Sequence, residues 1–206
     1  MAQRKSGYEW QPDEFYPSPA WVIDALGEVV ALRGLTVWEP AAGAGDMADA
    51  LRANGATVWE SDSASRERRE GFEPGIDFLT ARFPPSVDAI ISNPPFGTGG
   101  RLAVAFAERG LALMRAPGGP RLLALLLAAD FDSASGRTHL FADCPEFAVK
   151  LVLLRRIRWF DGPSGPSTNH AWFAWQRCDF ATTLVRGAVL RYAPRRSDES
   201  LSLESL

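Results

Sequence analysis

Apolar and polar residues along this chain follow two rhythms, and the rhythm switches repeatedly between helical and extended. WVIDALGEVVAL (21–32) places apolar side chains at Val22, Leu26, Val29 and Val30, the spacing of one helical face. Ser18 and Pro19 read as its N-cap and first helical residue, and Gly34 as its stop. TVWEP (36–40) predicts a short strand, DMADALRANG (46–55) a helix closed by its glycine, and TVWESD (57–62) a second strand. SASRERREGFEPG (63–75) is polar and reads as weakly structured, with IDFL (76–79) closing a short connection. After Pro84 and Pro85, VDAIIS (87–92) is a nearly continuous apolar strand halted by NPPF. RLAVAFAERGLALM (101–114) predicts a helix, APGGP a turn and RLLALLLAADF (121–131) a buried strand. Further on, AVKLVLLRRI (148–157) reads as a strand, DGPSGPSTN (161–169) as a loop and AWFAWQR (171–177) as a last strand.

Repeated strand–helix units predict an α/β domain: a Rossmann-like, mostly parallel, twisted sheet flanked by helices, with its site at the carboxyl ends of the strands. At 206 residues, without a repeat or a dividing linker, one domain over 1–196 is expected. Within it, residues 1–14 read as a flexible lead-in, and 197–206 as a disordered polar tail. The longest apolar run, LLALLLAA (122–129), is too short to cross a bilayer. The amino terminus has no apolar leader, so a cytoplasmic setting is expected. Two cysteines, Cys144 and Cys178, and two histidines, His139 and His170, are too few and scattered for a disulfide framework or a structural zinc site; no metal is expected.

Charge changes this picture in one respect. Residues 1–149 carry 13 Lys/Arg against 20 Asp/Glu, whereas residues 150–196 carry nine basic residues against Asp161 and Asp179. A basic third on an acidic body suits a polyanion on one side, although a solvated surface in an arginine-rich chain reads equally well.

The first candidate chemistry lies between the first strand and the second helix. In VWEPAAGAGDMADAL, Gly43 and Gly45 let the backbone turn sharply and approach a ligand, and the helix start offers free N–H groups. Gly43 to Ala48 also satisfies a looser dinucleotide pattern, with Asp62 placed to hold ribose hydroxyls. NAD and S-adenosylmethionine both fit. Glu39 and Asp46 favour the latter, because a pyrophosphate repels carboxylates whereas a methionine ammonium and sulfonium tolerate them.

The second lies where the strand 87–92 ends. In SNPPFGTGG, Pro94 and Pro95 stiffen the backbone and remove two N–H donors, which leaves carbonyls exposed. Asn93 adds a side-chain carbonyl and Phe96 a flat face for a planar ring. Such a platform offers acceptors to an amino group. The exocyclic nitrogen of adenine is a poor nucleophile, since its lone pair is delocalised into the ring. Preorganised acceptors on its hydrogens favour the charge that develops during attack. Asp130, at the end of the next strand, reads as a surface turn rather than a proton acceptor.

These two motifs carry a resemblance. EPAAGAG resembles the first cofactor motif of class I S-adenosylmethionine-dependent methyltransferases, and Asn93-Pro94-Pro95-Phe96 resembles the tetrad of amino methyltransferases that modify N6 of adenine. The resemblance implies a seven-stranded sheet ending in an antiparallel hairpin. It places Glu39 at the first strand's end and wraps Ala41 to Gly45 around the methionine of S-adenosylmethionine. It gives Asp62 the ribose, and Asp77 with the backbone of Phe78 the adenine ring. FYPSPAWV resembles the segment before the first helix that helps bind the methionine carboxylate, through Tyr16, Ser18 and Pro19; serine here replaces the family's threonine. From about residue 15 to 177 the chain is similar to small bacterial and phage adenine DNA methyltransferases, which implies a base flipped into the pocket. DNA is thus the expected partner, structured RNA the alternative and protein glutamine a third, for a monomer or homodimer. A non-catalytic partner subunit would not need the NPPF platform, and an oxidoreductase would need a hydride-transfer residue that the sequence does not offer. Arg155, Arg156 and Arg158 are expected on phosphates, and Trp159 or Phe160 on the other face of the base. Trp172, Phe173 and Trp175 read as core, His170 as a loop hydrogen-bonding residue. Residues 131–146 read as a substrate-facing insertion, because no separate recognition domain fits.

Overall fold

The computed structural model describes residues 16–64, 72–82, 86–159 and 168–177. The lead-in 1–14, Phe160, residues 161–167, Cys178, the arginines from Arg186 onward and the tail 197–206 lie outside the described residues. Three α-helices, α1 (Trp21–Gly27), α2 (Asp46–Ala53) and α3 (Arg101–Arg115), pack on one sheet. Its strands are β1 (Thr36–Glu39), β2 (Thr57–Asp62), β3 (Phe72–Pro74), β4 (Ala89–Ser92), β5 (Leu122–Ala128), β6 (Phe147–Val152) and β7 (His170–Gln176).

The seven strands lie in the order β3-β2-β1-β4-β5-β7-β6. β3 through β5 pair in parallel, and β7 runs antiparallel to both β5 and β6. The expected mostly parallel seven-stranded sheet with a terminal antiparallel hairpin is therefore present. Successive crossovers from β1 lead to opposite sides, to β2 and then to β4, and that reversal opens a crevice at the carboxyl ends of β1 and β4.

The central strands are apolar throughout because both faces are covered. On β5, Leu122, Ala124 and Leu126 pack toward α1 and α2, while Leu123, Leu125 and Leu127 pack toward α3. On β7, Trp172 and Ala174 join the first core and Ala171, Phe173 and Trp175 the second. The two indole N–H groups there are satisfied, Trp172 Nε1 by the Val22 carbonyl (2.9 Å) and Trp175 Nε1 by the Leu140 carbonyl (2.6 Å). These residues are core, as the alternation predicts.

Three elements depart from what the sequence predicts. α1 has Ala20 at its N-cap, with no side-chain cap, and stops at Gly27 rather than Gly34, because Val29 and Val30 turn back to bury Val30 and Leu32. The polar stretch 63–75 contributes β3, an edge strand in register with Glu60 to Asp62; a proline is tolerated there because an edge strand has an unpaired side. β6 ends at Val152, five residues before the predicted limit. Segment 131–146, read as a substrate-facing insertion, is docked on the body: its 3-10 turns Phe131–Ser133 and Ser135–Leu140 are anchored through buried Phe131, Leu140 and Phe141. Among the described residues, no helix is long and apolar enough to cross a membrane.

Candidate active site

The glycine loop after β1 is shaped by backbone that side chains would resist. Gly43 and Gly45 hold φ of 52° and 90°, and Gly45 is the N-cap of α2. Asp62, at the end of β2, pins this loop: its Oδ2 accepts from the Gly43 N–H (2.8 Å) and its Oδ1 from the Ala64 N–H (2.8 Å). A carboxylate has about four acceptor positions, so room for further donors remains. Glu39, 1% exposed, sits at the end of β1, with Ala41 half-buried beside it. One strand over, Asp77 heads the turn to Thr80, with Oδ1 accepting from the Leu79 N–H (2.9 Å). The Phe78 ring is buried between Trp38 and Phe106, so only its backbone faces outward chemistry.

Asn93 follows the last residue of β4 and ties the site together. Its Nδ2 donates to the Tyr16 carbonyl (3.3 Å) and to Ser18 Oγ (3.2 Å). Ser18 is thus not the helix cap predicted for it; its buried hydroxyl orients Asn93, across 75 residues of sequence. Because both Nδ2 contacts are acceptors, the opposite atom, Oδ1, is the side chain's own acceptor, and it is buried without a hydrogen-bond partner. The Ser92 Oγ and His170 Nδ1 are buried and unpartnered as well. Ser92 ends β4 and Asn93 follows it, while His170 opens β7 opposite Ala128, the last residue of β5. Buried polar groups are rarely left unpaired in folded proteins, and Asn93 Oδ1, on its proline-stiffened turn, is such a group.

Pro94 is buried, and Pro95 and Phe96 are half-buried. The Phe96 carbonyl accepts from the Leu102 and Ala103 N–H groups (3.2 and 3.4 Å) and so fixes the tetrad to the start of α3. The tight connection needs Gly97, at φ 66°, where a β-carbon would lie 2.7 Å from the Leu102 side chain.

An aromatic wall faces this platform. The His170 ring lies 6.3 Å from Phe96 and 5.3 Å from Trp159, and Trp159 lies 5.6 Å from Tyr16. Trp159 is 9% exposed and belongs to the core on the α1 side. His170 is not in a loop: it opens β7, 3% exposed, and its backbone carbonyl accepts from the Leu153 N–H (3.0 Å). The sequence does contain the signal, because His170 has the parity of Trp172 and Ala174. Burial pushes its imidazole down to about 4, against a hydrogen bond to the Thr168 backbone that works the other way. The unfolded chain therefore binds a proton near pH 6.5 that the folded chain takes up only near pH 4. Stability is expected to fall by on the order of 3 kcal/mol across that window. Glu146, held down to about 2 by its hydrogen bond to Arg115, extends the loss below pH 4.5. Urea midpoints measured between pH 7 and 3 check this, and His170→Phe is expected to flatten the upper part alone.

The three arginines predicted on phosphates are exposed. The Arg155 guanidinium lies 5.2 Å over the Trp21 ring, and Arg156 Nε donates to Asn169 Oδ1 (2.8 Å); Arg158 is exposed too. Lys150, counted with this basic third, is instead neutralised by Asp132, with its Nζ 2.8 Å from both carboxylate oxygens. Asp130 is exposed in a turn. Arg137, which the sequence reading passed over, donates to the Phe131 carbonyl (2.8 Å) and the Gly99 carbonyl (3.4 Å), joining the docked segment to the loop after the tetrad.

No protein-family model matches the chain, and no curated protein matches it in sequence. Solved structures do. A candidate RNA methyltransferase from Pyrococcus horikoshii superposes with a TM-score of 0.57 at 16% identity, over 83% of this chain and 90% of that one. A candidate class I S-adenosylmethionine-dependent methyltransferase from Listeria monocytogenes gives 0.55 at 12%, over 79% and 60%. A dimethyladenosine transferase from Plasmodium falciparum gives 0.53 at 16%, over 78% and 62%. The chain has the fold of the class I S-adenosylmethionine-dependent methyltransferases.

Proposed function

We propose that this protein transfers a methyl group from S-adenosylmethionine to N6 of adenine in a nucleic acid, with structured RNA the leading polymer. The observation that carries the reaction is the buried, unpartnered Oδ1 of Asn93 on a proline-stiffened platform. S-adenosylmethionine suits the residues present: the loop after β1 turns through positive φ at Gly43 and Gly45 with no side chain at either, and Glu39 and Asp62 suit an ammonium and ribose hydroxyls. Ala41, Gly43 and Gly45 would hold its methionine part with Tyr16, Ser18 and Pro19, and Asp77 and the Phe78 N–H its adenine. When bound, the cofactor supplies an electrophilic methyl group on a sulfonium.

The rest of the chemistry belongs to this chain. Asn93 Oδ1 and the Pro94 carbonyl accept the two N6 hydrogens, and the positive charge that develops on nitrogen as its bond to the methyl carbon forms and the carbon–sulfur bond breaks strengthens both contacts. The cationic nitrogen then releases one proton to solvent. Pro95 keeps the platform stiff. Phe96 covers one face of the adenine, with Trp159 toward the other, while Arg155, Arg156 and Arg158 hold phosphates. RNA leads because the structures with this fold include a candidate RNA methyltransferase and a dimethyladenosine transferase. DNA is the second reading, favoured by the resemblance of the tetrad and the basic-aromatic stretch to small adenine DNA methyltransferases.

Methyl-labelled cofactor offered with structured RNA, duplex DNA and single strands of each tests the reading. Label recovered as N6-methyladenosine from RNA is the expected result. Label in deoxynucleoside alone moves the assignment to DNA, and label in none of them overturns it.

A further inference from the structure

A solitary exposed leucine is ordinary on a protein surface, but Leu154 has an unusual setting. It is 99% exposed, although the chain on either side is firmly anchored. Leu153, Ile157 and Trp159 are buried in the α1-side core. The Leu153 N–H donates to the His170 carbonyl, and Arg156 Nε to Asn169. The segment thus buries Leu153, Ile157 and Trp159 while presenting Leu154, Arg155, Arg156 and Arg158 outward. Val152, at the end of β6, is 47% exposed. Leu154 follows Leu153, whose N–H donates to the backbone carbonyl of His170, the residue whose ring lies 6.3 Å from Phe96 and 5.3 Å from Trp159.

We propose that Leu154 is a wedge that enters the base stack of a structured-RNA stem and occupies the gap left when the target adenine turns out toward Asn93. The inference rests on the adenine-methyltransferase reading and narrows it, since a wedge is needed only for a base that is paired and stacked. Turning out such a base costs a few kcal/mol in lost stacking and pairing. An apolar side chain inserted into the step offsets part of that cost, as in nucleic-acid binders that kink a helix. The exposed arginines that follow it suit this role, because they meet phosphates beside the opened step and hold the leucine against it.

The test uses the full chain with two pools of RNA hairpins, flanks randomised, that carry adenine either paired in the stem or bulged from it, and a DNA duplex pool beside them. Leu154→Ala is expected to slow methylation of paired adenine about tenfold and of bulged adenine less than about twofold, with Leu154→Met restoring the paired rate. The side chain is fully exposed, so folding is not at stake. Equal losses on both RNA pools, or no loss on either, overturn the wedge. If the wild type methylates the DNA duplex instead and Leu154→Ala slows it, the wedge stands and the choice of RNA falls. If the wild type methylates no pool, the functional reading falls and takes the wedge with it.

Discussion

Asn93→Ala is expected to lower the rate of methyl transfer about 10²- to 10³-fold, the scale seen when one preorganised hydrogen-bonding group is removed from a transition-state site. The variant removes an acceptor whose position is already fixed: Nδ2 is held by the Tyr16 carbonyl and Ser18 Oγ, so Oδ1 needs no reorganisation when adenine arrives. Asn93→Asp separates the two ends of the amide. It keeps an acceptor at Oδ1 but sets a carboxylate oxygen against the Tyr16 carbonyl, and an intermediate loss of rate is expected. Ser18→Ala leaves the Tyr16 contact and is expected to cost tenfold or less, roughly one neutral hydrogen bond. Single-turnover rates with saturating cofactor check the series. A loss in Asn93→Ala no larger than in Ser18→Ala would mean that Asn93 only braces the loop.

The order of these effects also shows which parts of the site were legible beforehand. Patterns set by short-range chemistry read correctly: the unbroken apolar run of β5, the alternation of β7, the glycine loop and the tetrad all sit where periodicity and turn chemistry put them. Contacts between residues far apart in sequence did not. Ser18 beside Pro19 has the local signature of a helix cap, and only the fold reveals that its hydroxyl serves Asn93. His170 follows a Gly/Pro/Ser-rich stretch that marks a loop, so local composition hid a strand whose parity was already visible in AWFAW. β3 was missed because an edge strand of three residues has no buried alternation to announce it. Nothing local marks Arg137, and Lys150 reads only as one of the nine basic residues of 150–196. Their partners, the Phe131 and Gly99 carbonyls and the Asp132 carboxylate, become neighbours only when segment 131–146 docks.

Asp62→Ala is expected to weaken cofactor binding about 100-fold, close to 3 kcal/mol, since hydrogen bonds to a charged group contribute about 1.5–3 kcal/mol each. The carboxylate would act twice: it holds Gly43 and Ala64 through their N–H groups, and it faces the ribose in the proposed complex. Asp62→Asn separates these roles, because a carboxamide can accept from one backbone N–H but its NH₂ cannot accept from the other. Titration calorimetry with S-adenosylhomocysteine and with adenosine, on the same variants, distinguishes them. If the carboxylate only shapes the loop, S-adenosylhomocysteine, whose amino-acid part rests on that loop, loses affinity and adenosine does not. If it also holds the ribose, adenosine loses affinity in Asp62→Ala as well. The second result is expected, because Asp62 stands at the end of β2, beside the loop it pins, with acceptor positions beyond the two its backbone contacts use. Unchanged affinity for both ligands would remove Asp62 from the cofactor site altogether.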